Sequence, residues 1–246
     1  YNDYDRLYQL VKNHNIGIIK MEVVRNEEPK NNFLKKVREL ADKNGIVLIF
    51  DECTSGFREN YGGIHLKYKI EPDIVIYGKT IGNGYALTAI VGKQSVMDAA
   101  QKTFISSTFW TERIGPTASL KTLELMRKTK SWEIISKTGK EMSERWKKLA
   151  REYKLKIKVS GLAAISTYSF ESNDHLKYKT FVTQEMLKKG FLASTNFYAS
   201  TAHNESHLSS YFNALNEVFK KISDCERDIV KIDELLEAPV CHGGLN

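Results

Sequence analysis

Two short apolar runs, each followed by a single charged side chain, constrain the fold of this chain more than any other feature. The first run, residues 47–50, leads directly into Asp51, and the second, residues 74–77, is followed by Gly78 and Lys79. Short apolar runs of this kind are typical of strands buried in a parallel sheet. In open parallel sheets, ligands bind beyond the carboxyl ends of the strands. The sequence therefore predicts that Asp51 and Lys79 lie at one sheet edge, beside a ligand.

Strands and helices are predicted to alternate around these two runs. The other predicted strands cover residues 16–23, 87–92, 155–159 and 164–170, and the predicted helices cover residues 4–15, 33–40, 116–125, the region up to about 153, 181–189 and 208–222. This order indicates an α/β fold with a mostly parallel, helix-covered sheet, followed by a smaller α/β part. We place the domain boundary near residue 128, so that residues 1–128 and 129–246 form the two domains.

Composition narrows the class of protein. With 246 residues and 41% hydrophobic side chains, the chain can bury a substantial core. It contains no apolar run long enough to span a bilayer and no signal-peptide pattern, so we predict no membrane partner. Its three cysteines, Cys53, Cys225 and Cys241, are scattered. They argue against a disulfide framework and for a reducing, cytoplasmic location.

The net charge of +7 comes from a basic stretch between residues 121 and 158. Such a stretch could bind nucleic acid. However, Trp132, Ile135, Met142 and Trp146 recur there at helical spacing, which indicates that the lysines coat the solvated face of an amphipathic helix. No aromatic–basic interleaving accompanies the charge. We therefore predict no nucleic-acid partner, and we predict no metal site.

The Asp51 and Lys79 pair suits the chemistry of pyridoxal 5′-phosphate (PLP). A lysine amine can form a Schiff base with an aldehyde, and an aspartate beside a pyridine nitrogen keeps that nitrogen protonated. Either residue alone would most often be an ordinary strand-end residue. The paired placement, with glycines nearby, favours a PLP site.

Several motifs extend this reading over nearly the whole chain. The segments 50–58, 62–63, 71–73, 78–85 and 107–109 follow one another at a characteristic spacing, as do 186–190 and 200–203. Together they resemble the class III PLP-dependent aminotransferases, with most similarity to the glutamate-1-semialdehyde aminomutase-like branch. The resemblance implies a fold type I PLP-dependent transferase, with residues 1–128 as the C-terminal part of the PLP-binding large domain and residues 129–246 as the small C-terminal domain.

The resemblance also implies a role for five residues. Lys79 would be the aldimine-forming catalytic lysine, and Asp51 would contact the pyridine nitrogen. Cys53 would pack against one face of the ring, and Thr54 would lie near the ring hydroxyl. Thr108 would donate its hydroxyl to the cofactor phosphate across the interface of a homodimer, so that the active site lies between two subunits.

Departures from the family pattern keep alternatives open. The resemblance implies that the family's phosphate-binding loop and ring-stacking aromatic lie upstream of Tyr1, so we expect the chain alone to bind PLP weakly or not at all. No arginine occurs between Arg151 and Arg227, where many aminotransferases hold a substrate carboxylate. The main hypothesis is amino transfer between a small-molecule donor and a carbonyl acceptor. The alternatives are an intramolecular aminomutase, and a catalytically incomplete fragment or non-enzymatic interaction subunit.

Overall fold

The computed structural model describes residues 1–24, 26–106, 108–109 and 111–243. The chain packs as two units, Tyr1–Glu133 and Ile134–Asn246. Each unit is defined by the contacts within it, and this division does not test the predicted domain boundary. The predicted division into domains at residue 128 therefore stays a prediction.

The first unit is built on a four-stranded sheet. Its strands are β1 (Ile18–Glu22), β2 (Val47–Glu52), β3 (Ile74–Tyr77) and β4 (Ala89–Gly92), adjacent in that order. The first three strands are parallel, and β4 pairs with β3 in the antiparallel direction. The prediction of an α/β fold with a mostly parallel sheet is confirmed.

Helices precede, connect and follow the strands of this unit. They are α1 (Tyr4–Asn13), α2 (Phe33–Lys43), α3 (His65–Tyr68), α4 (Gln94–Met97) and α5 (Ile114–Thr129). Helix α2 carries the crossover between β1 and β2, which parallel pairing requires. Its apolar side chains Phe33, Leu34, Val37 and Leu40 are all buried.

In strand β2, half-buried and buried side chains alternate strictly. Leu48, Phe50 and Glu52 point into the interior and are 0% exposed, whereas Val47, Ile49 and Asp51 are half-buried. Successive side chains of a strand point to opposite faces. Asp51 therefore lies on the face opposite the core residues, with Glu22 beside it on β1 and Ile76 beside it on β3.

The second unit contains an antiparallel sheet and its covering helices. After the long helix α6 (Ser131–Glu152), which begins in the first unit, its elements are β5 (Ile157–Ser160), β6 (Ile165–Phe170), α7 (His175–Lys188), β7 (Asn196–Tyr198), α8 (Glu205–Glu226) and α9 (Ile232–Leu235). The strands lie in the order β5, β6, β7. One apolar core joins α6, β6, α7 and α8, and its largest buried side chains include Trp146, Tyr168, Phe181 and Phe219.

Helix α7 begins earlier than the sequence predicts. The prediction placed this helix over residues 181–189, but it runs from His175 to Lys188. Asp174 precedes it without a side-chain capping hydrogen bond. The first turn therefore lacks the signal that normally marks a helix start in a sequence.

None of the helices formed by the described residues is both long enough and apolar enough to cross a bilayer.

Candidate functional site

The parallel pairing of β2 and β3 brings Asp51 and Lys79 to the same edge of the sheet. Asp51 lies opposite Ile76 in the register. Strand β3 ends at Tyr77, and Lys79 opens a short 3₁₀ turn, Lys79–Ile81. Asp51 and Lys79 thus both lie where their strands end, as predicted from their positions in the sequence.

Lys79 presents an exposed amine with a neutral partner. Its Nζ donates a hydrogen bond of 2.7 Å to Oγ1 of Thr54. Within the described part of the chain, Lys79 forms no ion pair with a carboxylate. Its φ of 42° lies in the left-handed region, which is uncommon for a residue other than glycine. Such strained residues cluster at functional sites.

Asp51 is held at both of its carboxylate oxygens. Oδ1 accepts a hydrogen bond of 3.1 Å from the backbone N–H of Cys53, and Oδ2 lies 3.0 Å from Nζ of Lys20. Burial acts to raise the pKa of Asp51, but the hydrogen bonds from Lys20 and Cys53 outweigh it and leave this pKa below its ordinary value. The carboxylate is therefore ionised at neutral pH.

Cys53 lies between Asp51 and the turn that carries Lys79. Its Sγ would be 3.1 Å from a Cβ placed on Gly78, so the absence of a side chain at Gly78 makes room for the thiol. Burial and a hydrogen bond to Asp51 both raise the pKa of Cys53. The thiol is thus protonated near neutral pH, as expected of a packing residue and not of a nucleophile.

Thr108 differs from the other predicted residues in its surroundings. It lies in an exposed turn, and no hydrogen bond between described residues joins it to Asp51, Cys53, Thr54 or Lys79. Ser107, which belongs to the same motif, lies outside the described residues. The structure brings together the other four predicted residues, and the role of Thr108 stays a prediction.

Sequence reasoning missed Lys20 as the partner of Asp51. Lys20 is on β1, the strand beside β2, where it pairs with Ile49 in the register. The signal that could have found it is the strand period of two. Lys20 and Glu22 share a face of β1, and Glu22 lies opposite Asp51.

Sequence reasoning also missed Glu52, which organises the loop after β2. This carboxylate is 0% exposed and accepts hydrogen bonds from the backbone N–H groups of Ile64 and His65, the latter at 3.0 Å. Nδ1 of His65 lies 2.6 Å from Oε1 of Glu52. Glu52 therefore connects the end of the loop, at Ile64 and His65, to the end of β2. Cys53 and Thr54 follow directly after this strand end. A Glu at an inward position of an alternating strand was the available signal.

The second unit has a separate apolar groove of about 770 Å³, lined by residues that include Leu187, Phe191, Tyr198 and His203. None of the predicted cofactor-binding residues lines it. His203 accepts a hydrogen bond of 3.0 Å from the backbone N–H of Ser200, and its ring lies 4.8 Å from that of Phe197. These contacts stabilise the turn before α8.

Comparison with protein families identifies one family over most of the chain. The model of the class-III aminotransferase family matches residues 19–206. A 3-aminobutyryl-CoA aminotransferase from Cloacimonas acidaminovorans (strain Evry) is 32% identical over 75% of this chain and 47% of that protein. A glutamate-1-semialdehyde 2,1-aminomutase from Sulfurihydrogenibium sp. (strain YO3AOP1) is 29% identical over 79% of this chain and 50% of that protein. The chain thus spans about half the length of the curated relatives it matches.

Solved structures share the fold. The PLP internal aldimine form of the FumI protein from Sphingopyxis sp. MTA144 superposes with a TM-score of 0.87, at 23% identity, over 96% of this chain and 59% of that one. A transaminase with PLP bound superposes with a TM-score of 0.81, at 20% identity, over 92% of this chain and 57% of that one. At these identities the likeness concerns the fold alone.

The geometry around Glu52 predicts that this residue is essential for the stability of the loop. Replacement of Glu52 with Ala leaves the buried N–H groups of Ile64 and His65 without an acceptor, and an unsatisfied buried donor costs about 1–3 kcal/mol. We expect Glu52→Ala to lower the free energy of unfolding by about 2–4 kcal/mol in urea titrations.

The matched control is Glu39→Ala, because Glu39 is an exposed carboxylate of α2 with a lysine partner at 4.0 Å. We expect this variant to unfold within about 0.5 kcal/mol of the wild type. Equal losses in the two variants would contradict the role assigned to Glu52.

Proposed function

The chain belongs to the class-III aminotransferase family, and we propose that it contributes to PLP-dependent transfer of an amino group between a small-molecule donor and a carbonyl acceptor. The observation that carries this proposal is the placement of an ionised Asp51 and the amine of Lys79 at one sheet edge. Family membership supplies the reaction class, and the site supplies the groups that this reaction needs.

The side chains at this edge fit PLP. Asp51 offers a carboxylate with a lowered pKa for the ring nitrogen. Lys79 offers an amine that is held by the hydroxyl of Thr54 and not by a carboxylate, so it is available to an aldehyde. Cys53 would line one face of the ring, and Thr54 would lie near the ring hydroxyl. When bound, PLP supplies an electron-withdrawing ring that accepts the electrons released at the substrate carbon.

The chain's own residues would then position and move protons. Nζ of Lys79 would take the proton from the substrate carbon and pass it to the C4′ carbon of the cofactor. The hydroxyl of Thr54 would orient the amine. Asp51 would remain ionised and hold a proton on the ring nitrogen through a charge-assisted hydrogen bond. The backbone N–H of Cys53 keeps Asp51 oriented for this contact.

The assignment of Lys79 is tested by trapping. After incubation of the chain with PLP and reduction with borohydride, we expect the mass of one reduced pyridoxyl phosphate group on the peptide that contains Lys79. The variant Lys79→Ala should lose this label, because its site has no amine. Lys35→Ala is the control, since Lys35 is an exposed lysine of α2. Labelling spread over surface lysines, and unchanged in Lys79→Ala, would refute the assignment.

A second candidate function is transfer of the amino group within one molecule. It is favoured by the similarity of the chain to glutamate-1-semialdehyde 2,1-aminomutases. It shares every residue role given above and differs only in whether a separate amino donor is needed.

A donor-free incubation separates the two functions. If the chain carries out transfer between molecules, glutamate 1-semialdehyde incubated with the PLP-loaded chain should give its isomeric amino acid only slowly or not at all. Adding an amino donor and a carbonyl acceptor should then give a new amine, detected by mass spectrometry. Rapid donor-free isomerisation would instead identify a mutase.

The active form is proposed to be a homodimer in which Thr108 reaches the phosphate site of the partner. The segment around Thr108 supports this, because its apolar side chains face solvent. Phe104 is 95% exposed, Ile105 is 54% exposed and Phe109 is 58% exposed. Clustered exposed apolar side chains are typical of protein interfaces.

A single charge at this segment should prevent the association. We expect Phe104→Glu to sediment as a monomer under conditions in which the wild type is dimeric, because the charge would have to be buried. Ile229→Glu is the control, since Ile229 is 63% exposed in the second unit. A dimer that persists in Phe104→Glu would exclude this segment from the interface.

We propose a cytoplasmic location, supported by three cysteines that are all free. We also propose that residues 1–128 belong to the PLP-binding large domain and residues 129–246 to the small domain.

A further inference from the structure

The carboxylate of Asp51 has no oxygen without a partner. Oδ1 accepts the hydrogen bond from Cys53 N–H at 3.1 Å, and Oδ2 pairs with Nζ of Lys20 at 3.0 Å. The first partner is fixed by the backbone. The second is a flexible side chain, so a further donor that approaches Oδ2 has to share this oxygen with Lys20 or displace Lys20.

Lys20 reaches Asp51 across two adjacent strands. Lys20 pairs with Ile49, and Glu22 pairs with Asp51, so these four residues lie on one face of the parallel pair. The side chain of Lys20 is 55% exposed, whereas that of Asp51 is 24% exposed. Because more than half of the Lys20 side chain is exposed, its ammonium group can leave Asp51 for solvent at little cost.

We propose that Lys20 is a positioning residue that competes with the ring nitrogen of PLP for Oδ2 of Asp51, and so sets how tightly the cofactor is held. This inference rests on the proposed function. In the absence of cofactor, Lys20 keeps Asp51 ionised and in place. When PLP binds, its ring nitrogen replaces Lys20 at Oδ2 of Asp51, in part or completely.

The charges at this site fix the direction of the effect. A protonated ring nitrogen at Asp51 is a cation, and Lys20 would be a second cation on the same carboxylate. Glu22 lies beside Asp51 in the register, and Lys79 approaches from β3. Two cations that share one carboxylate repel each other, so the presence of Lys20 weakens the contact of the ring nitrogen with Asp51.

The test is equilibrium dialysis of the full chain against PLP. The variants are Lys20→Met, which keeps the length of the side chain without its charge, Lys20→Arg, which keeps the charge, and Lys35→Met, which removes an equivalent exposed charge elsewhere. We expect Lys20→Met to lower the Kd for PLP by about two- to fivefold, the range that an exposed ion pair allows. Lys20→Arg and Lys35→Met should not lower it.

A PLP analogue with carbon in place of the ring nitrogen isolates the contact. It keeps the aldehyde and the phosphate, so its Kd should be the same for the wild type and Lys20→Met. Equal tightening of PLP and the analogue, or no tightening of PLP in Lys20→Met, would overturn the inference while the proposed function stands. A wild-type chain that binds no PLP and gives no reducible adduct at Lys79 would overturn both.

Discussion

The parallel pairing of β2 with β3 is the constraint on which the candidate site depends. The register places Asp51 opposite Ile76, so the lysine three residues beyond Ile76 starts its turn just past the strand end. No side chain in the site has to bridge a long distance, because the backbone hydrogen bonds of the sheet have already aligned the two segments. A shift of one residue in this register would send Asp51 to the opposite face.

The same alternation explains why two adjacent carboxylates of β2 have unrelated roles. Asp51 lies on the half-buried face, where it pairs with Lys20 and accepts a hydrogen bond from the backbone N–H of Cys53. Glu52 lies on the buried face, where a carboxylate is tolerated only with complete hydrogen bonding. The donors that satisfy Glu52 come from the end of the following loop. The loop that carries Thr54 is therefore held by Glu52, the residue next to Asp51.

The sequence predicted the strands better than the contacts between them. The apolar runs that precede Asp51 and Gly78 are local patterns, so the sheet and its edge could be inferred directly. The link from Lys20 to Asp51 depends on which strand lies beside β2, and this is fixed only by the tertiary structure. The same limit applies to Glu52, whose donors lie on a loop of irregular backbone. The strand period of two shows which side chains share a face of a strand, but not which partners those side chains meet.

Three carboxylates of the β2–β3 pair differ in how easily their partners can be exchanged. Asp73 accepts a hydrogen bond from the backbone N–H of Leu48 and forms an ion pair with the largely buried Arg38, both at 2.8 Å. Glu52 is likewise bound by backbone N–H groups and a buried ring. Asp73 joins the start of β3 to β2, and Glu52 joins the end of β2 to residues 64 and 65 of the loop that follows. Asp73 also pairs with the exposed Lys93 at 2.9 Å, but it keeps the buried Arg38 and the Leu48 N–H as well. Asp51 has the Cys53 N–H and the exposed Lys20, so among the three it has the charged partner that is easiest to exchange.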